Sequence, residues 1–291
     1  MSSFRLRQLR HEDAETVAAL FVDTLGSARK LDGEEIRTWL RNTALRPEWL
    51  RVLEEGGRVV GYGDIWPEED VLDVDVAAPG HWDVFFDWAE AEARERGIPC
   101  VRTQVPHGHA LADVVAARGY EPWRFSYTME IDLAERPRPR VPRGIELRAY
   151  EDRDEDAVRA TINAAFAADP LWHELTEESF REFSLGGRGF DPALWVLASD
   201  SAELVGCSVN YPVHGSDPDL GWVNMLGVRP RWRRRGLGEA ILLESFARLY
   251  DRGLRRVGLG VDSQNATGAL RLYERVGMRK VHQSDNWRRE L

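Results

Sequence analysis

The most informative segment of the chain is Val228-Arg229-Pro230-Arg231-Trp232-Arg233-Arg234-Arg235-Gly236-Leu237-Gly238. It holds five arginines in seven residues, although the chain of 291 residues carries a formal net charge of −10. Such a concentration of positive charge is costly unless an anion binds beside it. Two glycines separated by one residue, placed where a strand passes into a helix, let successive N–H groups converge on one point. The pattern therefore predicts a phosphate-binding turn at the start of a helix.

The same stretch indicates what kind of ligand the turn would bind. A strand that leads into such a turn can offer unpaired backbone groups to an extended molecule. The combination suits a ligand with a pyrophosphate and an amide-bearing arm, and coenzyme A has both parts. A solvated basic turn and a nucleic-acid stripe with Trp232 interleaved are the alternatives, and the glycine spacing disfavours both.

A second block follows later in the chain and reads Asn265-Ala266-Thr267-Gly268-Ala269-Leu270-Arg271-Leu272-Tyr273-Glu274-Arg275-Val276-Gly277-Met278. Together the two blocks resemble the signature of the GNAT acyltransferase superfamily. Its Arg/Gln-x-x-Gly-x-Gly/Ala turn is matched by Arg233, Gly236 and Gly238. Its Asn…Leu-Tyr…Gly-Phe helix is matched with one extra residue between Asn265 and Tyr273, and with Met in place of Phe. Tandem proteins of this superfamily, among them the mycothiol synthases, are similar in overall plan.

The resemblance implies acyl transfer from acyl-coenzyme A, usually acetyl-CoA, to a primary amine, without a metal and without an acyl-enzyme. It implies that two strands part beside the pantetheine arm and that backbone N–H groups near Leu226 and Val228 polarise the thioester oxygen. The cofactor-binding residues that it implies are Leu226, Gly227, Val228, Arg233, Arg234, Arg235, Gly236, Leu237, Gly238, Glu239, Asn265 and Tyr273.

Tyr273 matches the position of the general acid in the family. A phenol close to the sulfur can protonate the departing thiolate. On its own, a helical tyrosine is more often a packed aromatic, and Asn265 is also a common helix N-cap.

The general base is less clearly marked. In the mycothiol-synthase-like proteins a glutamate lies early on the strand before the basic turn, and Trp222 stands in the equivalent place here. Asp219, at the start of that strand, is the candidate we favour, although a free amine or a chain of water molecules would need no dedicated base. The other candidates are Asn224 as the holder of a water molecule, Asp262 and Glu174.

The acceptor is indicated only as an amine of a small molecule. Trp172 and Trp222 can wall an acceptor pocket, and Asn224 can contact the substrate. A small amine, an aminoglycoside, a cysteinyl glycoside and a peptide N-terminus all fit the same cofactor half. A catalytically weak acyl-CoA sensor or interaction protein is the alternative function, and the missing base favours it slightly.

The two halves of the chain repeat one another. Four pairs match at a spacing of 141 residues, namely Leu6 with Leu147, Arg7 with Arg148, Asp13 with Asp154 and Val17 with Val158. The proline- and arginine-rich segment 135–143 separates the halves, since prolines favour extended chain. We expect an α/β fold of two tandem GNAT-like mixed-sheet domains, at 1–134 and 144–291, joined by this linker.

The first half lacks the signature. After Val76 it reads Ala77-Ala78-Pro79-Gly80-His81-Trp82-Asp83, in which Pro79 has no N–H and Asp83 would repel a pyrophosphate. We interpret this half as a degenerate domain that shapes the acceptor site or supports the catalytic half. We therefore expect one cofactor site per chain, in the second half.

Composition excludes several other classes of protein. An acidic chain disfavours nucleic acid and anionic membranes as partners, and no run of apolar residues approaches 18. The start of the sequence does not resemble a signal peptide, so a cytoplasmic protein is expected. The two cysteines, Cys100 and Cys207, provide no disulfide framework, and we read His107-Gly108-His109 as a polar loop rather than a metal site. The sequence carries no indication of oligomeric state.

Overall fold

The structure is a computed structural model that describes residues 4–26, 31–41, 45–169, 172–201, 203–264 and 268–291. The chain forms two compact units. Unit 1 comprises Met1–Ser126 and His282–Leu291, and unit 2 comprises Tyr127–Val281.

The described residues contain strands and helices in the same order in both halves. The strands are β1 (Phe4–Gln8), β2 (Leu50–Glu55), β3 (Arg58–Pro67), β4 (Val71–Ala77), β5 (Cys100–Pro106), β6 (Glu121–Asp132), β7 (Ile145–Arg148), β8 (Val196–Asp200), β9 (Glu203–Tyr211), β10 (Leu220–Val228), β11 (Arg256–Asp262) and β12 (Arg279–Glu290). The α-helices are α1 (Ala14–Leu25), α2 (Gly33–Arg41), α3 (Trp82–Arg96), α4 (Leu111–Ala117), α5 (Glu155–Phe166), α6 (Glu177–Phe180), α7 (Leu237–Asp251) and α8 (Ala269–Arg275).

Unit 1 is a mixed sheet between two layers of helices. Its strands follow the order β1-β2-β3-β4-β5-β12, and the β4–β5 pair is parallel whereas the other described pairs are antiparallel. Alternate residues of a strand face opposite layers. Val52 therefore packs with Phe21 of α1 in one core, while its neighbour Leu53 packs with Phe85 of α3 in the other.

Unit 2 has the same architecture. Its strands follow the order β6-β11-β10-β9-β8-β7, with β10 and β11 parallel. Val257 and Leu259 of β11 are buried with Phe246 of α7, whereas Cys207 of β9 is buried with Ile162 of α5 on the opposite face. The α/β fold of two tandem mixed-sheet domains is therefore confirmed.

The repeat extends to individual hydrogen bonds. Arg7 donates two hydrogen bonds to Asp13, at 2.7 and 2.9 Å, and Arg148 donates two to Asp154, at 2.5 and 2.6 Å. The aspartate of each pair also accepts a backbone N–H three residues before it, at 2.8 Å in unit 1 and 2.9 Å in unit 2. Both pairs tie the first strand of a unit to the start of its first helix.

The compact units divide the chain differently from the sequence-based limits. Unit 2 begins within β6 and includes segment 135–143, where Arg136 pairs with Asp251 of α7 at 2.9 Å. The end of the chain belongs to unit 1, because β12 pairs with β5 from Ser284 to Glu290. Proline content marks an extended segment, but it does not reveal which unit that segment packs against.

Two expectations from composition, on the cysteines and on membrane-spanning segments, can be compared with the fold. Cys207 is buried, Cys100 is half-buried, and both thiols are free. Burial raises the pKa of the Cys207 thiol to about 12, so this thiol stays protonated at neutral pH. In the described ranges, no helix combines the length and the apolar character needed to cross a membrane.

Candidate active site

The candidate site is a cleft in unit 2 between two strands that separate. The parallel pairing of β10 with β11 covers Leu220 to Trp222 and ends where Trp222 meets Gly258, although both strands continue. Beyond that point β10 still pairs with β9, so only its side facing β11 is open. The resulting cleft has a volume of about 940 Å³ and is lined on its two sides by residues 223–228 and 259–262.

A bulge in β10 lies at the edge of this cleft. Val223 pairs with Asn210 and Met225 pairs with Val209, so Asn224 is an extra residue between the two rungs. A bulge of this kind bends a strand and redirects side chains. Asn224 is exposed and lines the cleft; its contact with an acceptor stays a prediction.

The predicted glycine turn lies at the end of the cleft where α7 begins. Arg234 and Gly236 both have left-handed backbone conformations, with φ of 60° and 77°. A Cβ at Gly238 would meet Leu272 at 3.4 Å and Val228 at 3.8 Å, which are ordinary contacts. Packing within the protein therefore does not require glycine at position 238, whereas the close approach of a ligand to the backbone would. The turn and the α7 N-terminus fit a phosphate group.

The five arginines of the turn have different roles. Arg233 donates hydrogen bonds to the backbone oxygens of Val228, at 3.0 Å, and of Ala165, at 2.5 Å. Arg229 donates to Thr161, and Arg231 pairs with Glu203.

In the sequence analysis the concentration of arginines indicated a bound anion, and these contacts change that interpretation. Three arginine side chains hold the turn against α5 and β9, which explains their concentration without an anion. Arg234 and Arg235 remain exposed, and the Arg235 guanidinium lies 5.0 Å from the Trp232 ring centre. The Arg234 and Arg235 side chains are therefore the ones placed to meet an anion from solvent.

Tyr273 lines the same cleft from α8. Its side chain is buried, with 7% of the residue exposed, and this burial raises the pKa of its hydroxyl to about 12. A phenol with that pKa is fully protonated at neutral pH. The hydroxyl can therefore donate a proton, but while it is protonated it cannot act as a base.

The other predicted residues are placed as follows. Leu226, Gly227, Val228, Leu237 and Glu239 line the cleft, and so does Asp262 at the end of β11, which accepts a hydrogen bond from the Gln264 N–H at 2.6 Å. Asn265 lies outside the described residues.

Two of the candidate bases lie away from the cleft. Asp219 is exposed before β10, its N–H donates to Asp217, and it is not among the residues that line the cleft. Glu174 is exposed in the connection between α5 and α6. The structure therefore does not bring either carboxylate together with Tyr273.

The two tryptophans predicted near the acceptor have different surroundings. Trp172 stacks on Phe166, which lines the cleft, with 4.7 Å between ring centres. Trp222 stacks on His214, with 3.6 Å between ring centres and 13° between ring planes. His214 could not be selected from the sequence, because it lies in a loop eight positions before Trp222 and belongs to no motif.

Metal ligands are not grouped in the described part of the chain. There, no three or more His, Cys, Asp or Glu residues are arranged to hold a metal ion. His107, which we read as a loop residue, lies 2.9 Å from a carboxylate oxygen of Asp285 in unit 1.

Comparison with known proteins points to one family. The Acetyltransferase (GNAT) family matches residues 155–278. The mycothiol acetyltransferase of Rhodococcus erythropolis is 30% identical over 252 residues, which cover 78% of this chain and 80% of that protein. That of Pseudarthrobacter chlorophenolicus is 37% identical over 179 residues, which cover 59% of this chain and 55% of that protein. The match thus spans about half the length of the Pseudarthrobacter relative.

Solved structures agree over almost the whole chain. A GCN5-related N-acetyltransferase from Sphaerobacter thermophilus has a TM-score of 0.80 and 27% identity, and covers 99% of this chain and 95% of its own. A tandem GNAT protein from the clavulanic acid biosynthesis pathway shares the fold, with a TM-score of 0.76, 17% identity, and coverage of 99% and 98%. Because a relative is 30% identical over 78% of this chain and the two units share one architecture, the chain belongs to the GNAT acetyltransferase family, as a tandem-domain member.

Proposed function

We propose that the protein transfers an acetyl or other short acyl group from acyl-coenzyme A to a primary amine of a small molecule, in the cleft of unit 2. One observation carries the proposal. The separation of β10 from β11, the glycine turn before α7 and Tyr273 all border a single cleft. These are the parts needed to bind a pyrophosphate, an amide-bearing arm and a departing sulfur.

The turn and the strand edge would position the cosubstrate. The α7 N-terminus, opened by Gly236 and Gly238, offers N–H groups to the pyrophosphate. Acetyl-CoA, the cosubstrate of this family, would supply an activated acyl carbon and a thiol leaving group. The open edge of β10 offers N–H groups near Leu226 and Val228 to the oxygen on which negative charge develops. A fixed donor at such an oxygen contributes about 2.7–4 kcal/mol to lowering the barrier.

Tyr273 would act on the departing sulfur. Because its pKa is raised to about 12, the hydroxyl holds its proton until a thiolate forms beside it. A thiolate that forms in the same buried site is also desolvated, which raises its pKa in the same direction and partly offsets the weaker acidity of the phenol.

The acceptor is proposed as an amine of a small molecule. The curated relatives are named mycothiol acetyltransferases, so amines related to mycothiol are the first compounds to test. Nucleic acid is not proposed as a partner, because three of the five arginines in the basic turn already contact the protein.

A second function is an acyl-CoA sensor with little turnover. The observation in its favour is Trp222, which occupies the place where the mycothiol-synthase-like proteins carry a glutamate. The same cleft and turn would bind the cosubstrate in both cases, and only turnover distinguishes them.

Thiol release from acetyl-CoA across a library of amines tests the proposal, with acetyl-CoA binding measured in parallel by calorimetry. We expect amine-dependent thiol release and one acetyl-CoA per chain. Binding without release for any amine would support the sensor. Absence of binding would exclude both functions.

A further inference from the structure

The stacked pair of His214 and Trp222 is a feature of unit 2 that the cleft alone does not explain. Tyr211, the last residue of β9, pairs with Trp222 of β10, and the intervening loop turns back over this rung. A tight turn shapes the loop, since the Asp217 N–H donates to the His214 backbone oxygen at 3.1 Å. The imidazole is thereby held flat on the indole, at 3.6 Å between ring centres.

The other side of the indole lies on two glycines of β11. A Cβ at Gly258 would be 2.7 Å from the Trp222 ring, and one at Gly260 would be 4.0 Å from it. Glycine at position 258 therefore leaves room for the indole beside the strand. Gly260 itself lines the cleft, so the indole reaches from the last rung of the β10–β11 pairing to the cleft wall. Neither Trp222 nor His214 is itself among the residues that line the cleft; the imidazole stacks on the indole, whose ring approaches the cleft wall at Gly260.

Charged side chains near the stacked His214–Trp222 pair form ion pairs with one another. The Asp217 carboxylate pairs with Arg256, and the Arg256 guanidinium is also 3.4 Å from Glu130 of β6. Asp219 follows in the same loop and is exposed. The carboxylates Asp217 and Glu130 thus share one guanidinium. An imidazole is the side chain whose unperturbed titration falls closest to neutral pH.

We propose that His214 accepts the proton that the acceptor amine loses, directly or through one water molecule, and that Trp222 is the positioning residue for His214. This inference rests on the proposed function of the cleft. At position 222, where the resemblance implies a glutamate, this chain has a tryptophan. The imidazole stacked on that tryptophan would take the role of the missing carboxylate.

The proton and electron balance is complete with the groups named. A substrate ammonium gives one proton to the His214 imidazole, and the freed nitrogen lone pair forms the bond to the acyl carbon. The carbon–sulfur bond breaks with its electron pair on sulfur, which takes a proton from the Tyr273 hydroxyl. The new amide nitrogen loses its surplus proton, which restores Tyr273 through solvent, and His214 returns its own proton to solvent.

Steady-state kinetics of His214→Gln and His214→Ala against pH test the proposal. We expect kcat/KM for the amine to fall about 10²–10⁴-fold, the range for a lost general base, while the Kd for acetyl-CoA stays unchanged. The limb of the pH profile near neutrality should disappear in His214→Gln. Added imidazole should restore part of the activity of His214→Ala, which a merely structural role would not produce. His11→Gln, at an exposed histidine of unit 1, is the matched control and should leave the activity unchanged.

Trp222→Ala tests the positioning role. We expect a lower kcat but a retained neutral limb in the pH profile, because the imidazole remains and only its placement is lost. If wild-type protein acetylates an amine and the His214 variants keep its rate and pH profile, this inference is wrong and the proposed function stands. If wild-type protein shows no amine-dependent thiol release, the proposed function fails and this inference fails with it.

Discussion

In both units a parallel pair of strands separates at the corresponding place, but different side chains stand there. In unit 1 the pairing of β4 with β5 ends at Asp73 and Arg102, and in unit 2 that of β10 with β11 ends at Trp222 and Gly258. Arg102 donates two hydrogen bonds to Asp73, at 2.8 and 2.6 Å, across the last rung of unit 1. An ion pair thus stands where unit 2 has an indole lying on a glycine. The backbone is open at the same place in both units, and the side chains determine which ligand or chemistry the opening can support.

The turns that follow β4 and β10 also differ, in length and in how well they suit an anion. Residues 78–81 connect β4 to α3, whereas the longer segment 229–236 connects β10 to α7. The shorter connection contains Pro79, and α3 carries Asp83 in its first turn, where Arg118 neutralises it at 2.9 Å. Neither feature suits an anion at the α3 N-terminus, because proline has no N–H and Asp83 is itself an anion.

The proposed general acid, Tyr273, is matched in unit 1 by a residue without a hydroxyl group. Tyr273 accepts the Met278 N–H on its backbone oxygen, and in unit 1 the corresponding bond runs from the Tyr120 N–H to Val115. Val115 therefore occupies the position of Tyr273, and its side chain has no proton to give. We expect unit 1 to bind no cosubstrate, and its retention to be structural.

The largest expected effect is that of Tyr273→Phe. Loss of the hydroxyl should lower kcat by roughly 10²–10⁴-fold, because the departing thiolate no longer receives a proton, while the Kd for acetyl-CoA stays nearly unchanged. Tyr250→Phe, on α7 outside the cleft, is the control and should keep full activity. An unchanged kcat in Tyr273→Phe at every pH would reduce the tyrosine to a packing residue and remove one difference between the units.

A smaller effect is expected at the glycine turn. The double variant Gly236→Asp with Arg235→Glu places negative charge where the pyrophosphate would lie, so calorimetry should show acetyl-CoA binding weakened about 10–100-fold. The matched variant in unit 1 is Gly57→Asp with Arg58→Glu, at another exposed glycine of positive φ with open space around it. It should leave binding unchanged. Equal affinity in the two double variants would contradict the assignment of the site to unit 2.

The repeated arginine–aspartate pairs should contribute similarly to stability. Asp13→Asn and Asp154→Asn should each lower the free energy of unfolding by about 1–3 kcal/mol, since each takes an ionised partner from a partly buried guanidinium, although Arg7 also pairs with Glu54 at 2.7 Å. Urea unfolding measures both, and Asp23→Asn at an exposed position of α1 is the control. A large difference between the two losses would mean that the repeat is not energetically equivalent.

The same pairs give an expected pH dependence. Burial raises the pKa of Asp13, but hydrogen bonds from Arg7 and the Arg10 backbone outweigh it and lower the pKa overall. The Arg148 hydrogen bond lowers the pKa of Asp154. Because both folded-state values lie below the unfolded ones, the stabilisation is complete above an unfolded pKa of about 3.9 and is lost as the pH falls through the folded values. The asparagine variants should show a weaker loss of stability at acid pH than wild type.

The smallest effect is expected for Asp73→Asn in unit 1. The Asp73 side chain is 43% exposed, so removal of its pair with Arg102 should cost only about 0.2–1 kcal/mol. The Kd for acetyl-CoA and kcat should not change. A measurable loss of catalysis would show that the last rung of unit 1 influences the site of unit 2.

The strand, turn and helix that border the cleft could be predicted because their signals are local. The glycines of the turn follow β10 in the chain, and Gly236 has the positive φ that favours glycine. The roles of the arginines could not be predicted in this way. Arg233 bonds to the backbone oxygen of Ala165, 68 positions earlier in the chain, and only the packing of α5 beside the turn makes that oxygen available.

Sequence alone was enough to establish the duplicated α/β plan and to predict a phosphate-binding turn and an acid position, since repeated spacing and short motifs depend on neighbours along the chain. Tertiary structure decided which side chains lie together. Asp219 looked well placed at the start of β10 but is exposed outside the cleft, whereas His214 is carried onto Trp222 by the pairing of β9 with β10. The register of a sheet and the return path of a loop follow from packing over the whole unit. No local pattern of residues encodes the resulting contact.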